Sequence, residues 1–541
     1  MRKHPVPLFI SPSAKGFAKS VGASAAGAQL INAVLEVSTD KTLNSKTVYS
    51  TKRAGSAANA STPTASGILV VKHNSSRFSN IYTGGSGTVS LYSGSTNIGT
   101  LTGALSTASN YQACDALSSS GVGILGFVTS DGAGWILYED AISTNFPTFT
   151  GNRTSGSAVI SGIASTTGIY KGQLITGDGI PASTRVSSVD SATQITMSAN
   201  ATSGAGTATT ITKEAVSKIT TSDFPSTATN MEQIDGYFAV GTTTGNLRHS
   251  ALNDPFTWTT TYTIAADLLS DNLVCIFRHG EFICAAGSVG TIQYFYNAGN
   301  AAGSVFSAAN QLDIIGISCK HRPALHATGL YFIGSEKDES GQVNGLYRLN
   351  GVNSIEQVSS DLWNGIITDT SLSFVSPIIN GNKSLLAVHS SAATTFPVYD
   401  PITNDFTLFS LSAALTSASR RTFTISGTST AIDWAVGDTW TDSGSAYTYT
   451  AITEPQGPFG EFGTTDVFID LIADMQASGT ATLSVSDDHH ATWTSVGSFD
   501  MTSNHKRRYR CGYHRGQRAY KVEHSANTGF RAQVLNVHMS L

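Results

Sequence analysis

The sequence is short of charge, of cysteine and of long apolar runs. Charged residues make up 13% of its 541 positions, about half the usual share of roughly 25% in soluble proteins. Disorder is not the reason. Hydrophobic residues reach 40% and the net charge is −5, so a core can form against little self-repulsion. A surface poor in charge and rich in small polar groups suits permanent packing against neighbours. Charges are costly to desolvate, whereas a small polar side chain can be buried with one hydrogen bond.

The five cysteines are Cys114, Cys275, Cys284, Cys319 and Cys511. Their odd number and the lack of any CxxC spacing exclude the usual zinc and dithiol motifs. They read as buried free thiols of a chain made in a reducing cytosol, although Cys275 and Cys284 could face each other across a hairpin. The opening MRKHPVPLFISPSAKG places basic residues before an apolar run, but Pro5 and Pro7 interrupt it. Its roughly six apolar residues fall short of a secretory core. Nothing approaches the roughly 20 apolar residues of a membrane span. The expectation is a soluble, cytoplasmically made chain, exported only within a particle or after lysis.

Chemical motifs are missing too. GxxxxGK[ST], HExxH and GxSxG do not occur. The scattered carboxylates cannot be paired as acid and base from the sequence. No catalytic residue, cofactor-binding residue or metal ligand is assigned, no cofactor is expected, and the chain is read as a non-enzyme.

What is present is the texture of β structure. Gly occurs 52 times, and Thr, Val, Ile, Tyr and Phe alternate with clusters of Gly, Ser and Asn. That favours many short strands joined by tight turns. The length allows two or more domains. From about Gly67 a unit recurs: strand, polar turn, second strand, often an aromatic. Gly123–Val128 with Trp135–Tyr138 is one instance. Gly236–Gly241 with Leu247–Ser250 is another, followed by Glu281–Ala286 with Ile292–Phe295 and Gly329–Gly334 with Gly345–Leu349. Ser384–Val388 with Pro397–Asp400 and Phe406–Phe409 is the sixth in the series that Gly67–Val71 opens. A period of roughly 40 to 50 residues is that of propeller blades. A lone blade cannot bury both faces, whereas stacked blades bury each other and ring closure leaves only short edges.

The fold expected is therefore all-β, a β-propeller of about six blades, with a β-sandwich of irregular spacing as the alternative. Residues 1–60 form an N-terminal arm, a mobile-looking lead followed by a first platform strand. Residues 61–149 are the first part of the propeller. Residues 150–212 break the rhythm and read as an inserted small β-sandwich domain. Residues 213–416 are the rest of the propeller, and 417–541 are a C-terminal β-sandwich or platform region.

Two motifs stand out. Ser486-Asp487-Asp488-His489-His490-Ala491-Thr492-Trp493 resembles the Asp-box of sialidases and other propellers, SxDxGxTW, with His490 in place of Gly. In such a turn Ser486, Asp488, Thr492 and Trp493 are structural: the carboxylate ties the backbone and the aromatic packs under the hairpin. His490 puts the usual geometry in doubt, because that position often needs a positive φ. His489 and His490 do not readily share a metal ion, since neighbours on a strand point to opposite faces. The second motif is the basic run His505–Lys521, with Lys506, Arg507, Arg508, Arg510, Arg515, Arg518 and Lys521 among interleaved aromatics. It could meet DNA phosphates in a channel or acidic groups of a neighbouring subunit.

Four segments together resemble the tail-hub, packaged-DNA stabilisation or tail nozzle family of short-tailed bacteriophages. Leu30-Ile31-Asn32 through Lys52-Arg53-Ala54-Gly55 is similar to the family's opening strand and "KRPG"-like turn, with Ala54 where Pro is common. Asp235-Gly236-Tyr237-Phe238 with Asn253–Trp258 resembles a family blade. Phe277–Phe282 through Gly290–Phe295 is similar to another, with Gln293 replacing Glu. The ending, Arg507-Arg508-Tyr509 through Lys521-Val522-Glu523 and Val534–His538, is the fourth. The likeness covers most of the chain except the insert at about 150–212. It implies a virion protein, a homohexameric ring below the portal and its adaptor ring at the tail vertex, made in the host cytoplasm. It further implies partners in fibres, spikes or a needle, double-stranded DNA passing through the channel, and a role in DNA retention and viral genome ejection. The rival readings are a glycan-binding or glycan-cleaving sialidase-like propeller and a trimeric fibre or spike.

Overall fold

The computed structural model describes residues 2–7, 29–40, 45–58, 65–68, 70–71, 78, 81–84, 89–93, 96–101, 111–142, 148–202, 206–266, 272–338, 341–352, 354–359, 372–390, 393–419, 422–425, 432–435, 439–455, 466–475, 479–500, 506–511 and 516–540. Among these, the strands form eight sheets, and the one α-helix is the short Glu139–Ile142. No described helix is long and apolar enough to cross a membrane. The chain divides into two compact units.

The first unit spans Ala60–Glu356 with Gly427–Ala431. Its described strands make five sheets, mostly hairpin-connected meanders. In one of them Ala228–Ile234, Tyr237–Thr242, Asn246–Ala251 and Asp254–Ala265 follow in order. The first turn is Asp235-Gly236, both at positive φ (51° and 84°), as a two-residue hairpin turn of that twist requires. Successive sheets pack through their innermost strands, Gln112–Leu117 on Ala228–Ile234 and the latter on Leu273–His279. The cores between them hold Phe127, Trp135, Met231 and Phe238 on one side and Phe277, Tyr294, Phe332 and Tyr347 on another. Packing is close enough that a Cβ on Gly126 would stand 2.5 Å from the Met231 Sδ. This stacking of meanders is the propeller architecture expected.

The segment expected as an insert has its own small core of Ile160, Ile163, Ile169, Ile175, Val186, Ile195, Met197 and Ile211. It is nevertheless continuous with a blade. The 13-residue strand Gly206–Lys218 pairs with Thr148–Arg153 along its first half and with Gly134–Tyr138 along its last. Tyr170 seals the junction by stacking on Tyr138, with ring centroids 3.6 Å apart. Its hydroxyl donates to Asp140.

The second unit comprises Met1–Asn59, Gln357–Ser426 and Ile432–Leu541. A nine-stranded sheet runs in the order Leu372–Asn380, Lys383–Ser390, Thr395–Asp400, Asp405–Ser410, Gln29–Ile31, Tyr449–Ile452, Ala519–His524, Thr480–Ser486 and Thr494–Asp500. The sixth recurrence of the blade pattern thus lies here, and the sheets do not part at residue 416. The open edge of Asp405–Ser410 is completed by Gln29–Ile31, with Ile31 paired to Leu408. A terminal sheet holds Ala33–Asp40, Ser45–Lys52, Phe530–Ser540, Asp466–Met475 and Lys506–Arg510, with Arg2–Pro7 also pairing with Phe530–Ser540. Part of the expected mobile lead is therefore a strand. Among the described residues, Pro5 and Pro7 sit on a strand paired to one neighbour, where a missing N–H is tolerated. A smaller sheet of Leu415–Ser419, Thr422–Ile425, Ile432–Trp434, Ser56–Ala58, Thr441–Asp442 and Ser445–Ala446 covers a core of Val34, Phe396, Phe409, Phe423 and Trp434.

None of the five cysteines is in a disulfide. Cys275 is registered against Ala286 and Cys284 against Phe277, so the two do not face each other.

Candidate assembly site

The segment Lys52–Gly55 is the hub of the second unit. It begins with Asn32, which takes a left-handed conformation (φ 54°), one that Asn adopts more readily than most residues. Asn32 separates the strand Gln29–Ile31 of the nine-stranded sheet from Ala33–Asp40 of the terminal sheet. Its backbone N–H donates to Leu408 O at 2.7 Å, and its side-chain oxygen accepts from Arg53 Nε and from Ser410 N, each at 2.9 Å.

Arg53 is fully buried, with 0% exposure. Its five N–H groups are all used. Nε donates to Asn32, Nη1 to Ala54 O (3.0 Å) and Asp442 Oδ1 (3.0 Å), and Nη2 to Ser410 O (3.0 Å) and Asp442 Oδ2 (2.5 Å). The rings of Tyr447, Trp434 and Phe409 surround the guanidinium, their centroids 4.0, 5.2 and 5.4 Å from its carbon. Such a saturated, caged cation holds chain segments together and has no donor left for a ligand. Beside it, burial and then the neighbouring Arg53 charge lower Lys52 to about 8. The Lys52 Nζ donates to Ala526 O at 2.8 Å.

The next two residues explain their identities. Ala54 N donates to Asn380 Oδ1 at 2.8 Å, and Asn380 Nδ2 returns a bond to Ala54 O at 3.0 Å. Pro, the residue the family resemblance favours here, could not make the first bond. Gly55 lies against backbone: an added Cβ would come within 2.2 Å of Thr441 O.

In the propeller a second buried pair does similar work. Arg322 and Glu232, 3% and 1% exposed at their side chains, form an ion pair. Glu232 Oε2 also accepts from Arg278 N at 3.1 Å, and Asn230 exchanges bonds of 2.7 and 2.9 Å with Ile276. Three segments of neighbouring sheets are thus tied by polar groups. Burial lowers Arg322 to about 10, against the pull of the Cys114 and Asp115 side chains. Sequence reasoning did not single out Glu232 or Arg322. The available signal was a charge within an otherwise inward-facing strand pattern, which in a chain this poor in charge asks for a partner.

The Asp-box-like residues close the hairpin between Thr480–Ser486 and Thr494–Asp500. Asp488 accepts from Ser486 Oγ (2.7 Å), Thr492 N (2.9 Å) and Thr492 Oγ1 (2.5 Å). Those bonds, Thr492's first, lower its carboxyl to about 2. His490 stands at φ 73° and His489 at φ 55°, so the position usually held by Gly keeps the left-handed geometry with a His. The His490 ring stacks on Trp493 at 5.6 Å and bonds Thr453 O. Asp487 is bound to Arg518 at 2.6 and 2.7 Å. Neither aspartate is left to join the two histidines around an ion.

The basic run does not form one surface strip. Lys506, Arg507, Arg508 and Arg510 lie on an outer strand of the terminal sheet, registered against Ile472, Leu471, Asp470 and Phe468. Arg510 is exposed. Arg518 and Lys521 belong to the nine-stranded sheet: Arg518 is buried on Asp487, and Lys521 pairs with Glu523 at 3.0 Å. Arg515 lies outside the described residues, as do the side chains of Lys506, Arg507 and Arg508.

Residues 159–377 match the phage stabilisation family model, described as bacteriophage P22 Gp10, beta-propeller. The match begins inside the segment expected to fall outside the resemblance. No curated protein matches the chain. Among solved structures, BamB from Moraxella catarrhalis is similar at 12% identity, with 71% of this chain and 97% of that one covered and a TM-score of 0.29. A computationally designed protein, Ika8, gives 8% identity, coverage of 71% and 99%, and a TM-score of 0.27. An exo-β-1,3-galactanase from Phanerochaete chrysosporium gives 9%, coverage of 94% and 96%, and 0.22. Likenesses this distant bear on no functional question. The family match falls largely on the stacked meanders, so that stretch of the chain is similar to the propeller of the phage stabilisation family.

Proposed function

We propose that the chain is a ring subunit of the tail hub, or nozzle, of a short-tailed bacteriophage. The observation that carries this reading is the family match over residues 159–377, which supports a structural role in the virion. The finer steps follow from that role. A ring of copies, six by the family's pattern, would sit below the portal and its adaptor ring. It would extend or close the channel, retain packaged DNA until ejection, and offer its outside to fibres, spikes or a needle. The chemistry of the described residues agrees with work done through interfaces. The buried arginines Arg53, Arg153, Arg322 and Arg518 are each paired with a carboxylate of the same chain, where a glycan-cleaving propeller would aim arginines at a ligand. Imaging of intact particles carrying a tagged chain tests the reading. A ring of tag density at the portal vertex is expected. Density at a fibre tip, or turnover of a sialoside by the pure protein, would overturn it.

A further inference from the structure

The terminal sheet ends in two strands of opposite charge. On one side Ala33–Asp40 pairs with Ser45–Lys52 alone within this sheet, and on the other Lys506–Arg510 pairs with Asp466–Met475 alone. Among the described residues no strand is paired to the outer side of either. The first strand carries Glu36 and Asp40 and no cation; the second carries Lys506, Arg507, Arg508 and Arg510 and no anion. In the register with Asp466–Met475, Arg508 stands against the acid Asp470, and Lys506, Arg507 and Arg510 stand against Ile472, Leu471 and Phe468. An open edge of unpaired N–H and C=O groups is a template for another strand.

We propose that these two edges join successive copies of this chain, the acidic edge of one copy beside the basic edge of the next. The strand count decides the geometry. Four antiparallel steps separate the two edges, so both edge strands run in the same direction. A rotation about an axis along the strands preserves that direction and makes the junction parallel. Contacts of this head-to-tail kind close into a ring when the rotation closes, and closure removes both edges. The two-fold alternatives are disfavoured by charge. Pairing Lys506–Arg510 with its own copy sets four cations against four, and pairing Ala33–Asp40 with its copy sets acids against acids. Like charges opposed across strands repel. This reading deepens the ring proposed above and rests on it, but the two can fail separately.

The test uses the full chain and two charge-reversed variants, E36K/D40K and K506E/R507E, followed by sedimentation velocity and electron microscopy. The first variant has two basic edges, and the second has its acidic edge beside one of no net charge, so each alone is expected to weaken or lose the oligomer that the wild type forms. Mixing them is expected to restore part of it, through the unaltered basic edge of the first variant beside the unaltered acidic edge of the second. High salt is expected to weaken the wild-type assembly. If a reversed variant fails to melt cooperatively, E36Q/D40N and K506Q/R507Q replace the pair, and partial loss by either is the expected result. Variants that assemble as the wild type does would overturn the edge pairing and leave the ring. A wild type that stays monomeric at every concentration would overturn both. A duplex oligonucleotide bound by the wild type and lost with K506E/R507E, without any change in assembly, would assign the basic edge to nucleic acid and overturn the pairing.

Discussion

Arg53 and Asp442, 389 positions apart in sequence, meet through two contacts of 3.0 and 2.5 Å inside an aromatic cage. Removing one partner of a buried ion pair costs about 3–5 kcal/mol, because the other is left uncompensated. Arg53→Met is expected to lose stability of that order in chemical denaturation. Arg53→Lys recovers little, since three donors on one nitrogen cannot reach Asn32, Ser410 and both Asp442 oxygens together.

Ala54→Pro tests the departure from the family's turn. It removes the N–H that Asn380 Oδ1 accepts and leaves that buried oxygen unpaired. The expected loss is about 1–3 kcal/mol. A variant as stable as the wild type would show that the Asn380 bond is incidental.

Arg322 and Glu232 call for a double-mutant cycle. Arg322→Met alone is expected to cost about 3–5 kcal/mol. Adding Glu232→Leu should recover part of that loss, because the stranded carboxylate goes with it. Additive losses in urea titrations would show that the pair is not coupled.

His321 predicts the acid behaviour of the propeller. Its Nε2 accepts from Ile333 N at 3.2 Å and its Nδ1 lies 2.8 Å from Arg322 O, so the neutral ring fits and the cation does not. Burial lowers its pKa to about 4. With the folded value below the unfolded one of about 6.5, the unfolded chain binds the extra proton first. Stability from this group is fully present above about 6.5, declines as pH falls toward 4, and changes no further below that. The span is about 3 kcal/mol. Unfolding midpoints measured between pH 7 and 4 should fall, and His321→Gln should flatten the slope.

His489 is exposed and held at φ 55°, a conformation that costs a residue with a Cβ roughly 1–2 kcal/mol. His489→Gly should therefore stabilise the chain by about 1 kcal/mol after the added freedom of the unfolded state is subtracted. Differential scanning calorimetry measures it directly.

The blades were legible in the sequence because each carries its own turn chemistry. Asp235-Gly236 and the alternating Tyr237–Gly241 strand announce a hairpin locally. The platform was not legible in the same way. Whether Asp405–Ser410 closes a blade or continues a larger sheet depends on Gln29–Ile31, hundreds of residues earlier, and a strand's own alternation does not name its neighbour. The Asp-box-like turn is local chemistry, since Ser486, Asp488 and Thr492 bond one another within a few residues. The Lys52–Gly55 segment was recognisable only by resemblance, and its physical meaning needed Asn380 and Asp442. The basic run misled by its continuity, because Lys506–Arg510 and Lys521 are close in sequence yet belong to different sheets.

The pairing of Arg2–Pro7 with Phe530–Ser540 sets an order of events in synthesis. The propeller's strands lie in one stretch of chain and can be completed while the ribosome is still at work. The terminal sheet must wait for Phe530–Ser540, which is made after the propeller's strands. The edges proposed to join copies are thus complete only after the propeller's strands have been made, so a nascent chain would not be drawn into a ring before its propeller has had time to form.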